Sequence, residues 1–225
     1  MKIKNKLVKG KVVKLFPNIY GVVVDNYYDR AMLFCRYQEY YESPFKNIRG
    51  KYFTLEEYMR TYVKENKKNY FTYPYDWSGY NIPSTVFNKA CDVFYKETEY
   101  DKVMNDIRFY CENDAMESND GTSCKWYLIG YGSENDGVLS HEIAHALYFT
   151  NKDYKIEMDE AVSKIKKKDY NFIKKQLIKI GYADDKKIID DEIQAFVSTG
   201  LYGEFDTDVM RSYQKEFKKI YNKYV

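Results

Sequence analysis

Two histidines, His141 and His145, stand four residues apart in Ser140-His141-Glu142-Ile143-Ala144-His145-Ala146-Leu147, and the 225-residue chain contains no others. Residues i and i+4 of an α-helix lie one turn apart on the same face, so both imidazoles can reach one metal ion only if this segment is helical. The fold must therefore build a helix here and bring a further ligand to it from elsewhere, because a catalytic zinc takes three protein ligands and keeps one position for water. Glu142, directly after the first histidine, is placed to hold that water. With no histidine left, the third ligand has to be a carboxylate or a cysteine.

Two downstream glutamates compete for that role, and helical geometry separates them. In Ile156 to Ile165 the apolar residues Ile156, Met158, Ala161, Val162 and Ile165 centre on one face, and at about 100° per residue Glu160 points roughly 130° away, into water. In the segment from Ile188 to Val197, the residues Ile188, Ile189, Ile193, Phe196 and Val197 define the buried stripe, with Glu192 only about 60° from its centre. Asp191 points the other way and Asp190 lies between. A carboxylate on a buried flank needs a partner, since an unpaired buried charge costs several kcal/mol, and a metal ion removes that cost. Glu192 is favoured over Glu160 and Asp190; its competing role is an ion pair with a buried lysine, arginine or tyrosine.

The stretch His141-Glu142-Ile143-Ala144-His145 resembles the active-site helix of the zincin metallopeptidases, and a later glutamate makes it similar to their gluzincin branch. The likeness covers the five-residue motif and one downstream candidate. It implies one bound zinc ion, with His141, His145 and Glu192 as metal ligands and Glu142 as general base in the hydrolysis of a peptide or protein substrate by an endopeptidase. The absence of a third histidine excludes the metzincin pattern. Peptide deformylases share the motif but take a cysteine ligand from upstream; Cys124 is the one residue in a comparable place, and Gly121-Thr122-Ser123-Cys124-Lys125 does not resemble their signature. Two other classes stay open: a zincin-like metal- or peptide-binding module without turnover, and a metal hydrolase of a non-peptide substrate. With no histidine left, a tyrosine is favoured as oxyanion donor, with Tyr131, Tyr182 and Tyr202 as unranked candidates, and Asp190 or Asp191 can orient an imidazole.

Around this motif the pattern implies an α+β fold, predominantly helical, with a small N-terminal and central β-sheet beside the active-site helix and a helical C-terminal half. Val12–Phe16 and Tyr20–Val24 read as strands about a Pro17-Asn18 turn. Helices are expected over 30–42, over 54–65 behind the capping box Thr54-Leu55-Glu56-Glu57, over 84–96 and over 100–111. The aromatic stretch 70–83 reads as a loop pinned on the core by Trp77, and 112–123 as a polar, mobile segment. Lys125–Tyr131 reads as a strand that, if its edge is free, can align an extended substrate; residues 133–137 supply the N-terminus of the motif helix. Helices follow near 156–167, 169–180, 187–200 and 207–223, with breaks at Gly181-Tyr182 and at Gly200 to Gly203. The whole, 1–225, is expected to be one domain, with 1–70 as a candidate N-terminal subdomain, 71–136 leading to the site and 137–225 carrying it.

Charge narrows the partners. Lys and Arg number 36 against 34 Asp and Glu, a net charge of +2 that implies neither a nucleic-acid nor a membrane partner. The lysine clusters at 166–168, 174–175, 186–187 and 218–219 read as solvated helix faces. With no signal peptide and no run long enough to span a bilayer, a cytoplasmic location is expected. Cysteines 35, 91, 111 and 124, irregularly spaced and without a C-x-x-C pair, read as isolated buried thiols. The 26 tyrosines and 13 phenylalanines are spread without a repeat and so belong to core and half-buried surface.

Overall fold

The computed structural model describes residues 1–118, 125–133, 138–180, 182, 184–201 and 203–225, with the side chains of residues 4 and 204 left out. The chain is α+β and predominantly helical, with one five-stranded sheet. It gathers into two compact units, Met1–Val138 and Leu139–Val225. Residues 1–70 do not stand apart, because their strands share a sheet with residues from 80 to 131.

The first unit holds the sheet. Strands β1 (Lys2–Lys4), β2 (Lys9–Phe16) and β3 (Ile19–Val23) form an antiparallel meander. The β2–β3 turn is Pro17-Asn18, where the ring of Pro17 presets one backbone angle and Asn18 takes the left-handed φ of 62° that asparagine tolerates. Strand β5 (Tyr127–Tyr131) joins β3 in parallel, and β4 (Tyr80–Pro83) pairs antiparallel with β5, giving the order β1-β2-β3-β5-β4. Every residue of β3 is buried, as expected of a central strand covered on both faces.

Between β3 and β5 the chain forms helices α1 (Tyr27–Glu42), α2 (Leu55–Glu65), α3 (Tyr73–Asp76), α4 (Ser84–Val93) and α5 (Glu99–Glu117). The capping box of α2 is present in full: the Thr54 hydroxyl accepts from Glu57 N–H at 3.2 Å, and the Glu57 carboxylate accepts from Thr54 N–H at 2.6 Å. The core is an aromatic cluster. Tyr37 tilts against Phe87 with ring centroids 4.5 Å apart, Phe34 stacks on Tyr80 at 5.5 Å, and Trp126 packs on Phe87 at 5.7 Å. Cys35 and Cys111 are free and buried; Cys91 is free and half-buried, and Cys124 lies outside the described residues.

Two local expectations are corrected in this unit, and one question left open is decided. The stretch 70–83 is held to the core by Tyr73, Tyr80 and Ile82, which are buried, whereas Trp77 is 56 % exposed. It contains a helical turn and the edge strand β4, because the alternation of Tyr80 and Ile82 inward with Asn81 outward suits a strand once β5 is there to pair with it. The stretch from 112 is helical to Glu117, since Ala115 continues the stripe of Val103, Met104, Ile107 and Cys111, and its polar residues form the other face. Lastly, β5 has no free edge, because β3 and β4 occupy both sides. The edge at β4 is itself blunted: Asn81 N–H donates to Gln38 Oε1 at 3.0 Å, and Pro83 has no N–H to offer.

The second unit is helical: α6 (Val138–Thr150), α7 (Lys152–Ser163), α8 (Lys167–Lys179), α9 (Lys186–Thr199) and α10 (Asp208–Tyr224). Helix α9 is its centre, with α7, α8 and α10 packed against it. Asp185 caps α9, its carboxylate accepting from Lys187 N–H at 2.8 Å and Ile188 N–H at 3.3 Å. Ile156 and Ile188, counted above on buried stripes, are 53 % and 38 % exposed; the buried face of α7 runs instead through Tyr154, Met158, Ala161 and Val162, and that of α9 begins at Ile189. Among the described residues, no helix is long and apolar enough to cross a membrane.

Candidate metal centre

Helix α6 is enclosed on all sides along its middle: Glu142, Ile143, Ala144, His145, Ala146 and Leu147 are all buried. A helix embedded in this way has to find a partner for every polar side chain it carries. For the two histidines, the partners come from α9.

His141, His145 and Glu192 converge, each offering one ligand atom, with those atoms all within 4.8 Å of one another. The two Nε2 atoms stand 3.1 Å apart. Glu192 Oε1 lies 3.7 Å from His145 Nε2, and Glu192 Oε2 lies 3.7 Å from His141 Nε2. All three side chains are nearly enclosed, with 13 %, 7 % and 12 % of their surface exposed for His141, His145 and Glu192. The His141 ring rests on Phe196, centroids 4.5 Å apart, and Phe196 stacks on Phe205 at 4.4 Å.

The ligand atoms stand near the spacing that a shared zinc ion needs. Ligand atoms at about 2.0–2.1 Å from a tetrahedral centre are roughly 3.3–3.4 Å from each other; the two nitrogens are 3.1 Å apart, the two oxygens of Glu192 each lie 3.7 Å from a different nitrogen, and one ligand atom from each residue can be chosen with all three within 4.8 Å. The protein groups by themselves leave the arrangement incomplete. Among the described residues, Glu192 Oε2 is buried without a hydrogen bond, and so is His141 Nδ1. A buried carboxylate oxygen beside two imidazole nitrogens, too far from either for a hydrogen bond, is a costly arrangement that a cation between them relieves. Two nitrogens and one carboxylate oxygen are also a donor set suited to zinc.

The far side of His145 is fixed by a carboxylate. Its Nδ1 lies 2.8 Å from Asp191 Oδ1, the usual outer partner of a metal-ligating imidazole. Burial disfavours the charged ring of His145, but the carboxylates of Asp191 and Glu192, with Glu142 adding to them, outweigh it and hold its pKa well above the ordinary value. Asp191 reaches this position although it lies off the apolar stripe of α9, because α9 is covered from more than one side and its enclosed surface is wider than its apolar residues indicate.

Glu160 and Asp190 are engaged elsewhere. Glu160 pairs with Lys164 at 3.0 Å and its side chain is 63 % exposed. Asp190 accepts from the Tyr170 hydroxyl of α8 at 2.8 Å and pairs with Lys186 one turn back on its own helix, so both its oxygens are engaged away from the histidines. Tyr131 belongs to the first unit, Tyr202 and residues 134–137 lie outside the described residues, and Tyr182 follows α8 with its N–H on the Leu177 carbonyl at 3.1 Å. None of the three tyrosines is assigned as oxyanion donor. Two residues that sequence reasoning missed adjoin the site. Gln194 donates from Nε2 to Asp191 Oδ1 at 3.0 Å, and the Tyr154 hydroxyl donates to Gln194 Oε1 at 2.8 Å. The available signal was a lone amide in the apolar run Ile193-Gln194-Ala195-Phe196-Val197.

No protein-family model, curated protein or solved structure matches this chain.

Proposed function

We propose that this protein is a zinc-dependent metallopeptidase of the zincin type, gluzincin-like in its ligands, acting on peptide or protein substrates as an endopeptidase. The observation that carries the reading is the convergence of His141, His145 and Glu192 from two helices on one small volume, with a buried Glu192 oxygen lacking any hydrogen bond among the described residues. The conjunction of His-Glu-x-x-His with a glutamate from a second helix adds to it.

In this reading His141 and His145 hold the ion through Nε2 and Glu192 through its carboxylate. A zinc ion bound there supplies Lewis acidity, lowering the pKa of water towards neutrality and polarising an amide carbonyl. The remaining work falls to the chain. Asp191 keeps the proton of His145 on Nδ1, which leaves the Nε2 lone pair for the metal. Glu142 accepts the proton of the attacking water and passes it to the leaving amine nitrogen. The carboxylate of Glu192 supplies negative charge that helps to balance the ion in an enclosed site. An intact Glu142 supports turnover over a module that only binds, since binding has no need of a base.

Metal analysis of the purified protein before and after chelation tests the site, and a peptide-library cleavage assay tests the activity. Glu142→Gln is expected to retain zinc and to lose cleavage by about 10²–10⁴-fold, the usual worth of a general base. Undiminished cleavage by Glu142→Gln sinks the mechanism. Zinc binding with turnover of esters or phosphates and none of amides moves the assignment to another hydrolase class.

A further inference from the structure

We infer that Gln194 and Tyr154 are positioning residues of the metal centre: together they fix the Asp191 carboxylate and, through it, the tautomer and orientation of the His145 ring. The inference rests on the reading of His145 as a metal ligand.

Four side chains from three helices form one line. The Tyr154 hydroxyl on α7 donates to Gln194 Oε1 at 2.8 Å, Gln194 Nε2 on α9 donates to Asp191 Oδ1 at 3.0 Å, and the same Oδ1 lies 2.8 Å from His145 Nδ1 on α6. Tyr154 and Gln194 are both wholly buried. Ser198, a turn beyond Gln194 and also buried, reaches the Tyr154 hydroxyl as well. Residues 191, 194 and 198 follow the i, i+3, i+7 spacing of one helix face, so α9 carries a polar stripe beside its apolar one.

The polarity of the line follows from chemistry. An ionised carboxylate only accepts, so the amide of Gln194 has to turn its NH2 towards Asp191 and its carbonyl oxygen towards Tyr154. Tyr154 must then donate. Held by Gln194, Asp191 Oδ1 accepts from His145 as well, which requires the imidazole proton to be on Nδ1 and leaves Nε2 to face His141 and Glu192. A flipped amide would set the carbonyl oxygen of Gln194 against the acceptor-only Asp191 carboxylate, so Asp191 fixes the direction of the amide and the Tyr154 hydroxyl, donating to its oxygen, holds it in place. Packing alone does not call for these groups, since leucine and phenylalanine fill similar volumes without an amide or a hydroxyl to satisfy.

Because the chain has only two histidines, protein labelled with ¹⁵N-histidine gives one Nδ1 and one Nε2 resonance from each ring, and the tautomer of His145 can be read directly. Wild type, Gln194→Leu, Tyr154→Phe and the double variant are compared in these spectra and in competition for zinc with a chromophoric chelator, under conditions where denaturant melts show each to be folded. Gln194→Leu is expected to weaken zinc binding by less than the about 10- to 100-fold that loss of the direct outer partner Asp191 would cause, and to speed exchange of the His145 Nδ1 proton. Tyr154→Phe, which removes one oxygen, is expected to do the same to a smaller degree. The double variant should be no weaker than Gln194→Leu alone, because the two residues act along one line. Wild-type zinc affinity and an unaltered His145 Nδ1 resonance in folded Gln194→Leu or Tyr154→Phe overturn the inference and leave the metal reading standing. If wild type itself takes up no zinc, the metal reading fails, and the His145 proton in metal-free protein still decides whether Gln194 and Tyr154 orient the ring.

Discussion

At the scale of single residues, the cluster of His141, His145 and Glu192 was half legible. The spacing of His141 and His145 required a helix and one shared face, and α6 provides both. The choice among Glu160, Asp190 and Glu192 turned on which carboxylate a helical wheel brings near the buried side. The tertiary arrangement gives each a different fate: Glu160 exposed beside Lys164, Asp190 engaged by Tyr170 and Lys186, Glu192 against the histidines. Glu192→Ala is therefore expected to cut zinc stoichiometry strongly, while Glu160→Ala, changing a solvated surface pair worth less than about 1 kcal/mol, leaves it unaltered. Metal analysis of the two variants after equilibrium dialysis checks this, and the reverse pattern would refute the assignment. What the wheel could not supply was Asp191. Its side chain lies off the apolar stripe, and only the packing of a second helix over that flank turns it into the partner of His145.

At the scale of elements, local chemistry was a good guide wherever it fixed a terminus. The capping box at Thr54 and Glu57 satisfies backbone N–H groups at the start of α2, and Pro17-Asn18 closes the β2–β3 hairpin. Thr54→Ala is expected to cost about 1 kcal/mol of stability, read as a lower denaturation midpoint with an unchanged slope. Thr54→Ser should retain most of the wild-type midpoint. Local chemistry misled where an element depends on a distant partner. Strand β4 is four residues long and needs β5, more than forty positions away in sequence, to exist as a strand at all. Trp77 was a reasonable anchor by composition, yet Tyr73 and Tyr80 fill the space beside Phe34 and Tyr58, and the indole is left in solvent.

At the scale of the whole molecule, each of the two compact units encloses ionisable groups among apolar ones. In the first, Glu39 on α1 is buried, its pKa pushed up by burial against hydrogen bonds from Ser43, Tyr58 and Tyr73, and its Oε2 finds no hydrogen bond among the described residues. A carboxyl group with a raised folded pKa holds its proton more tightly folded than unfolded. Its contribution to stability is full below the unfolded pKa and is lost as pH rises through the raised folded value. Denaturation midpoints of the wild type should accordingly fall over that interval, and Glu39→Gln, neutral throughout, should flatten the decline; an equal decline in the variant would show that another group is responsible. The sequence by itself determined the motif helix, the four-residue spacing of its two histidines, the lack of a third histidine and the predominance of helix, because each follows from composition or from the geometry of a few neighbouring residues. Only the tertiary structure decided the strand order, the closure of both edges of β5, and the line from Tyr154 through Gln194 and Asp191 to His145. Those depend on which surfaces of distant segments meet, and no periodicity along the chain encodes that.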